Sequence, residues 1–389
     1  MTILYILDYG VVGGATKAFV DMVYQMRVHN ITPIVVTGKT SELNKQLEDV
    51  GVHTIAAGHY TALESFSFER FYWPLGYIKR FVRYWLAEYI AYRIVCKEIK
   101  GKEIDLIHTN SARNSLGGRI SRKRGIPHIV HIREFADKDF NCISFVPNYI
   151  AYLNRTSDYF VSVSKAVCNY WNEKGIDSSK NSVIYDGVNY RDIISVDSSL
   201  KNEPLKMVIA GGVVPTKGQH LAVEAIGKLP KSIRNNVSLD ILGWFDTKYI
   251  EDIKRISVAG DFQKNIHFMG AVNDVHARLC HYDIGLMCSK SEGFGLVTAE
   301  YMHAGLGVIA SNSGACPELV NDGVTGLLFK TGDSDDLKNC ILRFYNDRNL
   351  LLNCGENAKI AARQRFTDEI NAFNLIKLYK KILVNRNGL

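Results

Sequence analysis

Hydrophobic positions along the chain follow two periods in alternation. Short β-branched and apolar runs are each followed by a longer stretch in which apolar residues recur at helical spacing. The short runs predict strands at 2–7, 32–37, 106–108, 127–131, 159–163 and 182–184, then at 206–210, 237–242, 265–268, 284–287, 307–310 and 326–328. Strand–helix alternation on both sides of the middle predicts parallel sheets flanked by helices, an α/β chain of two doubly wound, Rossmann-like domains. Residues 192–204 are polar without clear periodicity and are expected to be the linker, so the domains are placed at 1–195 and 205–365. A helical tail follows Phe366. In open α/β sheets ligands bind beyond the carboxyl ends of the strands, so candidate chemistry is sought in the segments that follow strands.

The segment 66–102 stands apart, with eleven aromatic residues and eight Lys/Arg against three Asp/Glu. Ile78, Phe81, Val82, Trp85, Leu86, Tyr89 and Ile90 recur at helical spacing, with Lys79, Arg80, Arg83 and Arg93 largely on other faces. That pattern predicts an amphipathic basic helix. Such a helix suits an anionic membrane surface, here through residues 77–97, or a lipid-linked or oligosaccharide ligand. A core helix with snorkelling cations is the alternative.

The chain has 389 residues, enough for two substantial cores, and its 47% apolar and 22% charged content are those of a globular protein. No apolar run approaches a membrane span. The N-terminus reads as a first strand and not as a signal peptide. The eight cysteines are scattered without a Cys-x-x-Cys pair and read as reduced cytosolic thiols. No cofactor and no metal site are expected. Net charge is +7, too modest to demand an anionic partner, and no nucleic-acid-binding module is recognisable. The expected location is the cytoplasm, peripherally at the inner face of the plasma membrane.

The most informative stretch is 289–300. Glu292 and Glu300 are separated by seven residues with a glycine turn between them. A helix starting near Gly295 would carry Glu300 on its second turn and leave its first N–H groups, near Gly295, Leu296 and Val297, free to hold an anion. The pattern resembles the Glu-x7-Glu signature of the family-four retaining glycosyltransferases. Phe268-Met269-Gly270, Ala304-Gly305, Pro317-Glu318, Asn321-Asp322-Gly323 and Thr325-Gly326 resemble the family's flanking motifs. The likeness is dense over 205–330 and looser over 1–190. It implies a GT-B fold, with the two domains facing across a cleft and the C-terminal helix, 366–389, crossing back onto the first.

The resemblance also implies roles. The nucleotide-sugar donor would contact Gly13, Gly14, Gly212, Lys217, Met269, Glu292, Gly293, Phe294, Gly295, Leu296, Val297 and Glu300. Glu300 would hold the ribose and Glu292 the sugar hydroxyls. Lys217 would neutralise charge that grows on the diphosphate as the sugar–phosphate bond breaks. His131 would lie near the sugar's 6-hydroxyl and complete the catalytic set with Lys217 and Glu292. His108, Asn110, Arg113 and Arg133 are expected on the acceptor side. The family usually has an arginine where this chain has Gly212, and Arg113, Arg133 or a main-chain amide are the expected substitutes. Gly10-Val11-Val12-Gly13-Gly14 is not a dinucleotide fingerprint, which argues against NAD. The implied reaction is metal-independent transfer, with retention, from a nucleotide-diphospho-sugar, with uridine expected, to a glycan or lipid-linked acceptor in cell-surface polysaccharide synthesis. A non-catalytic sugar binder and a nucleotide-sugar epimerase are the alternatives.

Overall fold

The computed structural model describes residues 1–7, 13–65, 73–136, 142–189, 204–244, 246–272 and 274–387. The expected linker, residues 10–12 of the first glycine loop and residues 66–72 of the aromatic segment lie outside them, apart from Pro204. The chain divides into two units, Met1–Gly187 with Asp368–Leu389, and Val188–Thr367.

The first unit is built on β1 (Thr2–Ile6), β2 (Thr32–Thr37), β3 (His53–Ala56), β4 (Leu63–Ser65), β5 (Leu106–Thr109), β6 (His128–Ile132), β7 (Cys142–Ser144), β8 (Tyr159–Ser162) and β9 (Asn181–Val183). Seven of these form one parallel sheet in the order β3-β2-β1-β5-β6-β8-β9, while β4 and β7 pair antiparallel. The strands β3, β4 and β7 were not expected from the pattern. They are three or four residues long and mostly half-buried or exposed, so they carry too few apolar positions to show a period.

Side chains alternate across the sheet. Ile3, Tyr5, Leu106 and Ile129 face one core, which they share with helix α1 (Gly14–Val28) and with Ala372, Leu375 and Tyr379 of the C-terminal helix. Leu4, Ile6 and Ile107 face the other core, under helix α2 (Trp73–Glu98) and helix α3 (Leu116–Arg124).

Helix α2 corrects one expectation. Its buried seam is Tyr84, Glu88, Ala91 and Val95, continued by Ile99 just past the end of the helix. The apolar set read from the sequence is split. Phe81 and Trp85 pack in an aromatic group with Tyr84 and Phe145, and the Trp85 indole N–H donates to the Phe145 carbonyl at 3.2 Å. Ile78, Val82, Leu86, Tyr89 and Ile90, joined by Leu75, lie on the outside, 45–68% exposed. A buried aromatic group and a buried seam already occupy the inner side, so the remaining apolar residues of the period point outward.

The second unit is a six-stranded parallel sheet in the order β12-β11-β10-β13-β14-β15, made of β10 (Leu205–Ala210), β11 (Val237–Leu242), β12 (Ile266–Gly270), β13 (Ile284–Met287), β14 (Gly307–Ser311) and β15 (Leu327–Phe329). Helix α4 (Gln219–Gly227) follows β10, and helix α5 (Leu296–His303) follows β13. The seat of α5 depends on Gly285. A Cβ there would stand 2.3 Å from the Tyr301 ring, so the bare backbone of β13 admits the tyrosine. The Tyr301 hydroxyl then accepts the Ala210 amide at 2.7 Å. Two helices close the chain, α6 (Arg348–Arg365) in the second unit and α7 (Asp368–Asn387) in the first, where α7 packs on α1.

Candidate active site

At the carboxyl edge of the second sheet, two loops meet. The loop after β10 ends in a 3-10 turn, Pro215–Lys217, and the loop after β13 ends at Gly295. They are tied by the Lys290 amide, which donates to the Thr216 carbonyl at 3.0 Å. Gly295 caps α5 with φ 87°, a left-handed conformation that a side chain disfavours. The Thr298 and Ala299 amides donate back to its carbonyl at 2.8 and 3.2 Å. The Leu296 and Val297 amides have no partner among the described residues. An N-terminus with open N–H groups carries positive potential.

Lys217 lies beside it in an ion pair. Its ammonium donates to both Glu292 oxygens, at 2.8 and 3.2 Å. The lysine side chain is 38% exposed and the glutamate 15%. A pair this open to water is worth at most about 1 kcal/mol. An anion can therefore draw the ammonium away at small cost and release the carboxylate for other donors. Glu300 is buried on α5, and the Thr298 hydroxyl next to it is buried without a partner among the described residues. Met269 is exposed on β12. The Phe294 ring is buried edge-on against Phe366, centroids 5.6 Å apart, so at this position only the backbone faces the loop edge. His303 is packed, its Nε2 3.1 Å from the Phe366 carbonyl oxygen. Asp333 caps the helix Ser334–Asn346, its side chain accepting from the Asp335 and Asp336 amides.

The first-unit residues form a different kind of cluster. His108 on β5 and His131 on β6 stand on neighbouring strands, facing α7. The Tyr379 hydroxyl is 2.6 Å from His108 Nδ1, and His108 Nε2 is 3.2 Å from His131 Nδ1. His131 Nε2 is buried without a partner among the described residues. Burial first, and the neighbouring Arg133 guanidinium second, hold both imidazoles neutral. His108 is lowered to about 3 and His131 well below its ordinary value. Arg133 donates to Asp186 at 2.7 Å and to Asn110 at 2.9 Å. Arg113 donates to the Leu63 carbonyl at 3.1 Å.

These are the positions of three of the residues expected on the acceptor side, His108, Asn110 and Arg133. All three are buried, because each has a fixed polar partner inside the unit. Arg133 is held in an ion pair with Asp186. Gly13 caps α1 in an extended conformation, with no described residue within 4 Å of where its side chain would begin, and Gly14 begins the helix. None of the eight cysteines is in a disulfide, and five are buried. Among the described residues no three His, Cys, Asp or Glu side chains gather in a way that could hold a metal ion, and no helix is long and apolar enough to cross a membrane. Sequence reading missed Tyr379 and Trp244, which lies over Gly212. Neither belongs to a local motif, and only the fold brings them to these places.

Comparison with known proteins gives the family. The profile of the group 1 glycosyl transferases matches residues 191–361, and that of glycosyltransferase family 4 matches residues 12–191. An uncharacterized glycosyltransferase of Methanocaldococcus jannaschii is 30% identical over 307 residues, 75% of this chain and 80% of that one. The N,N'-diacetylbacillosaminyl-diphospho-undecaprenol alpha-1,3-N-acetylgalactosaminyltransferase of Campylobacter jejuni is 24% identical, over 75% and 81% of the two chains. Among solved structures, HepE of Anabaena in complex with UDP superposes with a TM-score of 0.80 at 21% identity, covering 98% of this chain and 100% of that one. The chain belongs to the family-four glycosyltransferases, and its fold is of the GT-B type.

Proposed function

We propose that the protein transfers a sugar, with retention at the anomeric carbon, from a uridine-diphospho-sugar to a glycan or lipid-linked acceptor in cell-surface polysaccharide synthesis. The observation that carries this reading is the Lys217–Glu292 pair beside the open Leu296 and Val297 amides. The donor diphosphate sits on those amides and draws Lys217 from the carboxylate. Glu292 then accepts hydrogen bonds from the sugar hydroxyls, and Glu300 from the ribose. Charge that develops on the leaving diphosphate meets a preset cation and aligned N–H groups, which stabilise the transition state more than the ground state. Retention follows from attack on the leaving-group face, where a phosphate oxygen takes the acceptor proton. His131 Nε2, orphaned and held by His108, positions the sugar. No divalent metal takes part.

Names of relatives support the chemistry. One relative acts on a diphospho-undecaprenol substrate, and another, from Staphylococcus aureus, is a capsular polysaccharide biosynthesis glycosyltransferase. HepE was solved with UDP and glucose. A lipid-linked acceptor also suits α2. Its exposed stripe carries Lys79, Arg83, Arg93 and Lys97 alongside Leu75, Ile78, Val82, Leu86 and Tyr89. Cations near an anionic bilayer contribute roughly 1 kcal/mol each, so this face rests on the membrane.

The test is a panel of nucleotide sugars scored by thermal shift, then by nucleotide release with and without candidate acceptors. One donor should stabilise the protein and release UDP, and chelator should leave the rate unchanged. Stabilisation without turnover would make the protein a binder. Rapid UDP release that needs no acceptor would favour an epimerase or hydrolase.

A further inference from the structure

The loops after β10 and β11 are fastened to each other. The Gly211 amide donates to the Leu242 carbonyl at 2.9 Å, the Val213 amide to the Trp244 carbonyl at 2.8 Å, and the Asp246 amide to the Val213 carbonyl at 3.2 Å. Gly243 makes the approach possible. Its φ is 141°, and a Cβ there would stand 1.9 Å from the Gly211 oxygen. The backbone of Trp244 is therefore fixed relative to the loop that carries Lys217.

The side chain of Trp244 is 61% exposed and lies over Gly212. A Cβ on Gly212 would come within 2.9 Å of the indole Cζ2, 3.0 Å of Cε2 and 3.2 Å of Nε1. The ring occupies the room that a side chain at 212 would need. Exposed apolar residues scattered singly need no explanation. This one is held at the carboxyl edge of the sheet by a backbone lattice. The adjacent Gly243 amide donates to the Gly270 carbonyl at 2.8 Å, one residue after the exposed Met269.

We propose that Trp244 is a donor-binding residue whose indole takes the place of the side chain absent at Gly212. Lys217 brings charge to the nucleoside diphosphate. Trp244 brings a flat ring and one neutral N–H donor, where a cation at 212 would have brought a second charge. This rests on the reading that the 211–218 loop holds the donor. Residue 212 and residue 244 then form one exchangeable unit, and the indole makes binding less dependent on salt than a second cation would.

The experiment titrates the full-length protein with UDP, following tryptophan fluorescence and heat in parallel. UDP should quench the fluorescence of the native protein. Trp244→Phe should lose that quench and bind about fivefold more weakly, the scale of one hydrogen bond. Trp244→Ala should bind about tenfold more weakly, the scale of one aromatic contact. Gly212→Ala, which drives the ring aside without removing it, should weaken binding as Trp244→Ala does, and the two together should add little. Trp244→Ala combined with Gly212→Arg should recover affinity and steepen its fall with added salt. Native affinity and a native-sized quench in Trp244→Phe, with Lys217→Ala impaired, would overturn the role of the indole and leave the donor site standing. Native affinity in Lys217→Ala would overturn the donor site itself. Trp244 is exposed, so melting temperatures of its variants should match the native protein and exclude a folding defect.

Discussion

The loop edge of the second unit and the histidine cluster of the first solve opposite problems with similar residues. At the loop edge Lys217 and Glu292 are partly exposed, pair with each other and are exchangeable. In the cluster, His108, His131, Arg133, Asp186 and Tyr379 are buried and committed. A weak, wet ion pair can be opened by a ligand. A buried one cannot, because each partner left alone loses its desolvation compensation. The first arrangement leaves both partners able to exchange, and the second holds one geometry. An orphan atom in the rigid cluster, His131 Nε2, is therefore a more pointed observation than an orphan in a mobile loop would be.

Acid should separate the two regions most strongly. Four first-unit histidines, His59, His108, His128 and His131, are held neutral by burial, the first three to about 4, 3 and 4. Their folded values lie below the unfolded value of about 6.5. Above that pH both states are neutral and nothing is lost. Below it the unfolded chain binds protons that the folded one refuses, so stability falls as pH drops toward 4. Each histidine contributes about 1.4 kcal/mol per pH unit, so the four approach about 5 kcal/mol per unit. Urea unfolding followed by tryptophan fluorescence at pH 7, 6 and 5 should show this. A flat profile would remove the contrast.

Arg133→Met should cost about 3–5 kcal/mol of unfolding free energy, because it leaves Asp186 buried without its cation. Burial already raises the Asp186 carboxyl, with Arg133 opposing the shift, so part of this loss should be recovered as pH falls and Asp186 takes a proton. A loss below about 1 kcal/mol would mean the corner is not rigid in this sense. Lys217→Ala should lower turnover about 10²–10³-fold, the scale of one lost charge-stabilising donor, while chemical denaturation shows stability nearly unchanged. The reverse pattern, intact turnover with lower stability, would make the open pair structural. Gly285→Ala should cost about 1–3 kcal/mol by forcing Tyr301 from β13, and should reduce donor affinity through the displaced start of α5. Unchanged stability in denaturant melts would show that α5 is seated by other contacts. The smallest effect expected on a soluble assay is that of Ile78→Ser with Leu86→Ser. Turnover of a water-soluble acceptor should persist while sedimentation with anionic vesicles is lost. Undiminished sedimentation would leave α2 without its membrane role.

The two regions also differ in how much of them could be read from the chain. Parallel sheets were legible because buried strands and amphipathic helices write their periods locally. The turn at 292–300 was legible because a glycine cap, two carboxylates and a helix start lie within one short segment. The edge strands β3, β4 and β7 were too short and too exposed to carry a period. The partners of His108 and His131 were not legible, because Tyr379 is 271 residues from His108 in sequence. The indole over Gly212 depends on a pairing between two loops. The outward stripe of α2 shares its spacing with a buried one, and only the aromatic packing beneath it decides which side faces solvent.

The most direct test is a crystal structure of the protein with UDP. The β-phosphate should lie within hydrogen-bonding distance of the Leu296 and Val297 amides, with the Lys217 ammonium moved from Glu292 onto the phosphate oxygens. UDP bound elsewhere, with the Lys217–Glu292 pair intact, would contradict the account.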